Sequence, residues 1–193
     1  MLKPYIFLAC LLPLLRLIVL GFADLLGANP VEFVTRSTGT WTLVMLCATL
    51  SVTPLRRAFG WTELLRNRRM LGLFTFFYAC LHLMTYIWLD QWFEVASIAK
   101  DIFKRPFITI GFAAFVLMVP LALTSNHWSM KTLGRNWGKL HRLIYLIAIA
   151  AMLHYFWHKG GKNNYNEPLI YAGVIALLFA VRIGYWWRSR NPG

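Results

Sequence analysis

The sequence predicts an all-α, polytopic membrane protein with six transmembrane helices. Of its 193 residues, 59% are hydrophobic and only 14% are charged, whereas a soluble domain carries roughly a quarter charged residues. Apolar runs close to the length that crosses a bilayer recur along almost the whole chain. Only short loops remain between these runs, so residues 1–193 are predicted to form a single transmembrane domain.

The first three spans are predicted at 5–23, 38–54 and 70–89. The first is a nearly unbroken apolar run. The second is the shortest, with Pro30 and Gly39 marking its start and Pro54 its end. The third begins at Met70, directly after an arginine-rich loop. The periodic apolar pattern of these runs favours helices, and no strand pattern is present.

The last three spans are predicted at 106–124, 139–157 and 168–187. Pro106 opens the fourth, because proline is tolerated in the first turn of a helix. Gly160 and Gly161 follow the fifth, and Pro168 opens the sixth. Tryptophan and tyrosine side chains collect near the ends of several spans, as is typical of residues at a membrane–water interface.

The net charge is +13, and the placement of the positive residues along the chain indicates the membrane topology. Positive residues collect in alternate loops and at the C-terminal end: Arg56, Arg57, Arg66, Arg68 and Arg69 after the second span, Lys131, Arg135, Lys139 and Arg142 around the fourth loop, and Arg188 and Arg190 in the tail. Because cytoplasmic loops carry the excess of Lys and Arg, both termini are predicted to be cytoplasmic. This placement indicates contact with membrane lipid and argues against a nucleic-acid partner.

Three histidines lie inside or at the edge of the apolar spans: His82, His141 and His154. An imidazole in the hydrocarbon layer costs free energy and normally faces the bundle interior, where it has a function. His82 lies ~18 Å along the third span and His154 ~23 Å along the fifth. Both spans start on the cytoplasmic side, so the pair is predicted at one level in the outer half of the bilayer. Two facing imidazoles supply both axial ligands of a b-type haem iron.

His141 lies near the cytoplasmic surface and leaves the number of haems open at one or two. The positions opposite it on the third span are Arg68 and Arg69, which are not iron ligands. These arginines are expected to meet haem propionates, flavin phosphate or anionic lipid. A straight helix would also direct His141 and His154 about 140° apart. Arg182, near the cytoplasmic end of the last span, is expected to extend toward the membrane surface.

Several motifs resemble one family over nearly the whole chain, in order. They are residues 50–57 (LSVTPLRR), 68–73 (RRMLGL) with Tyr78 and His82, and 140–146 (LHRLIYL) with His154 and Tyr155. They resemble the haem-binding membrane subunit of the bacterial periplasmic protein-methionine-sulfoxide reductase system, the MsrQ/YedZ family. More distantly, the chain is similar to the transmembrane part of ferric reductases and NADPH oxidases, which carry two histidine pairs.

The resemblance implies a bacterial inner-membrane subunit with b-type haem and a flavin mononucleotide (FMN). By the same resemblance, His82, His141 and His154 match the ligand positions, and the partner is a periplasmic molybdopterin-containing reductase of methionine sulfoxide. No flavin-binding motif can be assigned to residues.

The expected function is electron transfer without a substrate site of its own. No dinucleotide fingerprint is present, so electrons are expected from the quinone pool or from a separate cytoplasmic flavin reductase. One alternative is a quinol-linked cytochrome b that serves another periplasmic redox partner. A second alternative, from a different class, is a transporter or proton channel that uses the histidines as a relay.

Overall fold

The computed structural model describes residues 2–161 and 164–190, and this part of the chain is helical without strands. In chain order the helices are α1 (Lys3–Phe22), α2 (Pro30–Phe59), α3 (Glu63–Met84), α4 (Val95–Lys104), α5 (Pro106–Leu123), α6 (His127–Leu133), α7 (Arg135–Leu140), α8 (Leu143–Gly160) and α9 (Asn166–Arg190). A π-helical segment, Thr85–Asp90, extends α3. Six segments in the described ranges are long and apolar enough to cross a membrane, which confirms the predicted class.

Helix α2 is much longer than the predicted span. Its first turn is capped by the Asn29 side chain, which accepts a hydrogen bond from the backbone N–H of Glu32 at 3.1 Å. It ends where Gly60 adopts a left-handed conformation, with φ of 71°. Gly39 and Pro54, which the sequence placed at the ends of this span, both lie inside the helix.

Pro54 opens a gap in the hydrogen bonding of α2 that Arg182 fills. Proline has no N–H, so the carbonyl of Leu50, four residues earlier, lacks its usual intrahelical donor. Arg182 on α9 donates to this carbonyl at 2.6 Å and to the Tyr145 hydroxyl at 2.7 Å. Arg182 therefore points into the helix bundle, and the expectation that it extends to the membrane surface is wrong.

Two antiparallel helix pairs form the centre of the protein. Helix α2 packs along α3, and α5 packs along α8; these two pairs make the most extensive helix contacts. We call them the first and second hairpins. Helix α3 contacts α5 between the hairpins, α9 packs on α2 and α8, and α1 packs on α3. The buried core follows these contacts, with Met45, Val52, Leu71, Phe74 and Tyr78 in one cluster, Leu46, Leu50, Ala148, Met152 and Ile175 in a second, and Ala79, Met118, Leu121 and Ile147 in a third.

The fifth membrane segment is interrupted near its N-terminal end. Helix α7 ends at Leu140 and α8 begins at Leu143, so His141 and Arg142 lie in a turn between them. The angle expected for two positions on one straight helix therefore does not apply to His141 and His154. The turn lets the His141 ring adopt a direction that is independent of α8.

Candidate functional site

The structure brings His82 and His154 together between the two hairpins. His82 lies on α3 and His154 on α8. Their ring centres are 6.1 Å apart, and the two ring planes are inclined at 77°. Both side chains are partly buried. The two histidines that the sequence placed at one membrane depth therefore lie next to each other in the fold, with their rings in an edge-to-face arrangement.

A backbone carbonyl on the neighbouring helix orients each ring. Nδ1 of His82 donates to the carbonyl of Thr35 on α2 at 2.9 Å, and Nδ1 of His154 donates to the carbonyl of Phe107 on α5 at 2.6 Å. A carbonyl oxygen can only accept, so Nδ1 carries the proton in both rings. Each Nε2 then keeps its lone pair, as a metal-ligating histidine requires.

The residues present fit a haem. With ring centres 6.1 Å apart, His82 and His154 are close enough that both would hold the same haem iron, for which imidazole nitrogen is a suitable ligand. The described residues hold no group of three or more His, Cys, Asp or Glu side chains that would bind a bare metal ion. A pair of imidazoles suits a cofactor that brings its other ligands with it. The buried Thr35 hydroxyl beside His82, without a hydrogen-bond partner among the described residues, offers a further polar contact.

A polar group beside His154 was not predicted from the sequence. Lys159 is 3% exposed, and its ammonium pairs with the Glu167 carboxylate at 2.8 Å. The Tyr155 hydroxyl donates to the same carboxylate oxygen at 2.7 Å. The sequence indicates only that Tyr155 and Lys159, four residues apart on α8, lie on the same face of the helix. The group ties the end of α8 to the start of α9.

His158 and Phe107 complete the aromatic surroundings of His154. The His158 ring lies parallel to His154, with ring centres 6.5 Å apart and planes 15° apart. Phe107 contacts both rings, at centre-to-centre distances of 6.2 Å to His154 and 5.8 Å to His158. His158 thus stacks on His154 from one turn further along the same face of α8.

His141 is placed apart from this pair. Its Nε2 lies 3.1 Å from the Thr124 hydroxyl, and Trp137 stacks on its ring at a centre-to-centre distance of 4.0 Å. No other histidine ring of the described residues contacts it. The structure therefore brings His82 and His154 together and leaves His141 without a facing imidazole.

A basic cluster occupies the region around His141. The Arg68 guanidinium lies close enough to Arg182, Tyr145 and His141 to interact electrostatically. Neither Arg68 nor Arg182 forms an ion pair with a carboxylate of the described residues. Nε of Arg182 is also buried without a hydrogen-bond partner in the described ranges. Arg69, by contrast, is exposed.

Comparison with known proteins gives one consistent result. The sequence profile described as "Ferric reductase like transmembrane component" matches residues 37–152. A relative from Herminiimonas arsenicoxydans is 52% identical over 99% of this chain and 88% of its own length. One from Ralstonia nicotianae is 56% identical over 97% of this chain and 87% of its own length. A third, from Rhodospirillum rubrum, is 49% identical over 97% of this chain and 90% of its own length.

All three relatives are named "Protein-methionine-sulfoxide reductase heme-binding subunit MsrQ". No solved structure matches the chain. The six apolar helices and the transmembrane family agree with the predicted location in a bacterial inner membrane. The chain therefore belongs to the MsrQ family of ferric reductase like transmembrane components and is a multi-pass membrane protein.

Proposed function

We propose that the chain is the membrane electron-transfer subunit of a methionine-sulfoxide reductase system. Electrons pass through b-type haem to a periplasmic molybdopterin-containing reductase, which repairs oxidised envelope proteins. The observation that carries the proposal is the facing pair of Nδ1-protonated imidazoles, His82 and His154. The names of the relatives support the haem and the reductase system.

In this proposal His82 and His154 hold the haem iron through Nε2. The haem supplies an iron that cycles between its ferric and ferrous states. The protein's own contribution is to fix the tautomer of each ring through the carbonyls of Thr35 and Phe107. The apolar helices around the pair exclude water and so help to set the reduction potential.

The direction of transfer follows from the charge distribution. Both termini are proposed to be cytoplasmic, because the basic loops join α2 to α3 and α5 to α8. The His82–His154 pair then lies toward the periplasmic side, within reach of a periplasmic acceptor. The electron donor is proposed to be the quinone pool or a cytoplasmic flavin reductase on the opposite side.

The basic cluster of Arg68 and Arg182 near His141 is proposed to bind an anionic group on the cytoplasmic side. Haem propionate, the phosphate of FMN and anionic lipid are the three candidates. Two guanidinium groups without a carboxylate partner among the described residues favour an anion at this depth. FMN itself is proposed from the family resemblance alone, without an assigned residue.

The ligand assignment is tested with the variants H82A and H154A, and with H158A as the matched control on the same helix face. We expect the purified wild-type protein to show a b-type haem spectrum. H82A and H154A should each lose the haem of this pair, whereas H158A should retain it. A colourless wild-type protein would exclude the redox proposals together and favour a histidine relay. Full haem content in both alanine variants would exclude the pairing.

Two further measurements address the number of haems and the donor. The haem-to-protein ratio of H141A compared with wild type shows whether His141 holds a second haem. Reduction of the purified holoprotein by a quinol, or by NADH with a flavin reductase, identifies the donor class. Reduction by neither one would contradict the proposed donors.

A further inference from the structure

The two histidines of the proposed haem pair are held by the same arrangement in the two hairpins: a backbone carbonyl that accepts from the ring, and a glycine against which the ring packs. We call this arrangement of carbonyl and glycine a seat. In the first hairpin, the acceptor carbonyl belongs to Thr35, and a glycine, Gly39, follows four residues later. In the second, the acceptor is Phe107, and Gly111 follows four residues later. Each histidine comes 47 residues after its acceptor. The repetition links a glycine at this position to the seating of the ring.

Helix geometry explains why the fourth residue matters. The carbonyl of a helical residue points along the axis toward the residue four positions later. A ring that donates to this carbonyl from outside must pass over that fourth position. Any side chain there begins with a Cβ in the path of the ring. Glycine alone leaves the carbonyl open to a neighbouring imidazole while the helix continues.

The distances show how little space each seat leaves. A Cβ with ideal geometry on Gly111 would lie 2.5 Å from Nδ1 and 2.8 Å from Cε1 of His154. A Cβ on Gly39 would lie 3.1 Å from Nδ1 and 3.0 Å from Cε1 of His82. The first contact is a steric overlap, and the second is at the limit of van der Waals approach. The seat at Gly111 is therefore the tighter of the two.

We propose that Gly39 and Gly111 are positioning residues for the two axial imidazoles: they hold His82 and His154 against the carbonyls of Thr35 and Phe107. The inference rests on the proposed haem function and adds two residues to the site. A methyl group at either position would push the ring away from its carbonyl. The ring would then lose the bond that fixes its tautomer and its tilt toward the iron.

The test compares G111A and G39A with two matched Gly→Ala controls in membrane helices. A Cβ on Gly72, in the first hairpin, would lie 3.8 Å from Thr49 Cγ2, an ordinary contact, and a Cβ on Gly173 would meet no atom within 4 Å. The holoproteins are purified, and the haem-to-protein ratio, the electron paramagnetic resonance g-values of the ferric haem and the midpoint potential are measured. G72A and G173A should match wild type in all three.

We expect a graded response. G111A should have a haem-to-protein ratio several-fold below that of wild type, or show changed g-values. G39A should retain haem, with shifted g-values and a shifted midpoint potential. Wild-type values in both variants would overturn the inference. A purely structural role for the glycines predicts lower thermal stability with unchanged g-values, and that result would also overturn it. If G111A does not fold, G39A alone decides.

The same set of proteins separates this inference from the proposed function. A wild-type protein without haem contradicts the function itself. A wild-type protein that binds haem through His82 and His154, with unaltered G111A and G39A, contradicts only the glycine seats.

Discussion

At the scale of single residues, the hydrogen bonds of His82 and His154 decide the chemistry of the pair. Each ring donates its Nδ1 proton to a backbone carbonyl, which no side-chain substitution of the acceptor removes. Each hydrogen bond fixes the tautomer and the orientation of its ring and leaves Nε2 as the nitrogen with a free lone pair. This arrangement supports the proposed role of the pair as metal ligands.

Glu167 is the residue that neutralises the buried ammonium beside this site. In E167Q the Lys159 ammonium, which is 3% exposed, loses its carboxylate, and an unpaired buried charge is costly. Glu167 is largely exposed, so solvent screening reduces the expected loss to about 1–2 kcal/mol of stability. Thermal unfolding in detergent measures this loss. The double variant K159M/E167Q should recover part of it, and no recovery would contradict a role in charge pairing.

At the scale of whole elements, Pro54 and Arg182 depend on each other. R182M should destabilise the protein by about 1–3 kcal/mol, because the Leu50 carbonyl loses its donor inside the membrane. In a P54A background, the backbone N–H that alanine introduces at this position can donate to the same carbonyl, so R182M should cost less there. The difference is measured as a double-mutant cycle of unfolding free energies.

The exposed Arg188 on α9 provides the control for this cycle, since R188M should have nearly the same stability in both backgrounds. Equal losses for R182M with and without Pro54 would show that Arg182 acts through Tyr145 or a bound anion instead. A smaller loss of stability for R182M in the P54A background would show that Arg182 acts by donating to the Leu50 carbonyl, which Pro54 leaves without an intrahelical donor.

The sequence predicted the number and order of the membrane helices, because hydropathy over a long window is a strong signal. The ends were harder to predict. Gly39 and Pro54 are residue types that often mark helix ends, but both lie inside α2. Gly39 makes room there for the His82 ring. Pro54 leaves the Leu50 carbonyl available to Arg182. Helix α4 was not predicted, because its ten residues are too few to form an apolar run of membrane-spanning length.

The site was predictable only where one residue type carries the signal. A histidine in an apolar span is conspicuous, so His82, His141 and His154 stood out from the sequence. The carbonyls of Thr35 and Phe107 belong to residues of unrelated type, and no side-chain pattern marks them. At the interruption of the fifth segment, His141 contacts Thr124 and Trp137, and no periodic pattern in the sequence marks these contacts.

At the scale of the whole molecule, the orientation in the membrane is testable with single cysteines. In a background without Cys10, Cys47 and Cys80, a cysteine at Lys100 should react with a membrane-impermeant maleimide in intact cells whose outer membrane is permeable. A cysteine at Arg66, whose side chain is 80% exposed, should react only after the inner membrane is opened. The expected pattern follows from the basic loops on the cytoplasmic side. The opposite labelling pattern would reverse the proposed direction of electron transfer.

The division of the ligands between two hairpins has a consequence for biosynthesis. His154 follows His82 by 72 residues, so at about 5–20 residues per second the ribosome needs several seconds to deliver the second ligand. The hydrogen bond between Thr35 and His82 lies within the first hairpin, so we expect it to form before His154 has been synthesised. If the two histidines bind haem as proposed, haem capture would then be the step that joins the first hairpin to the second.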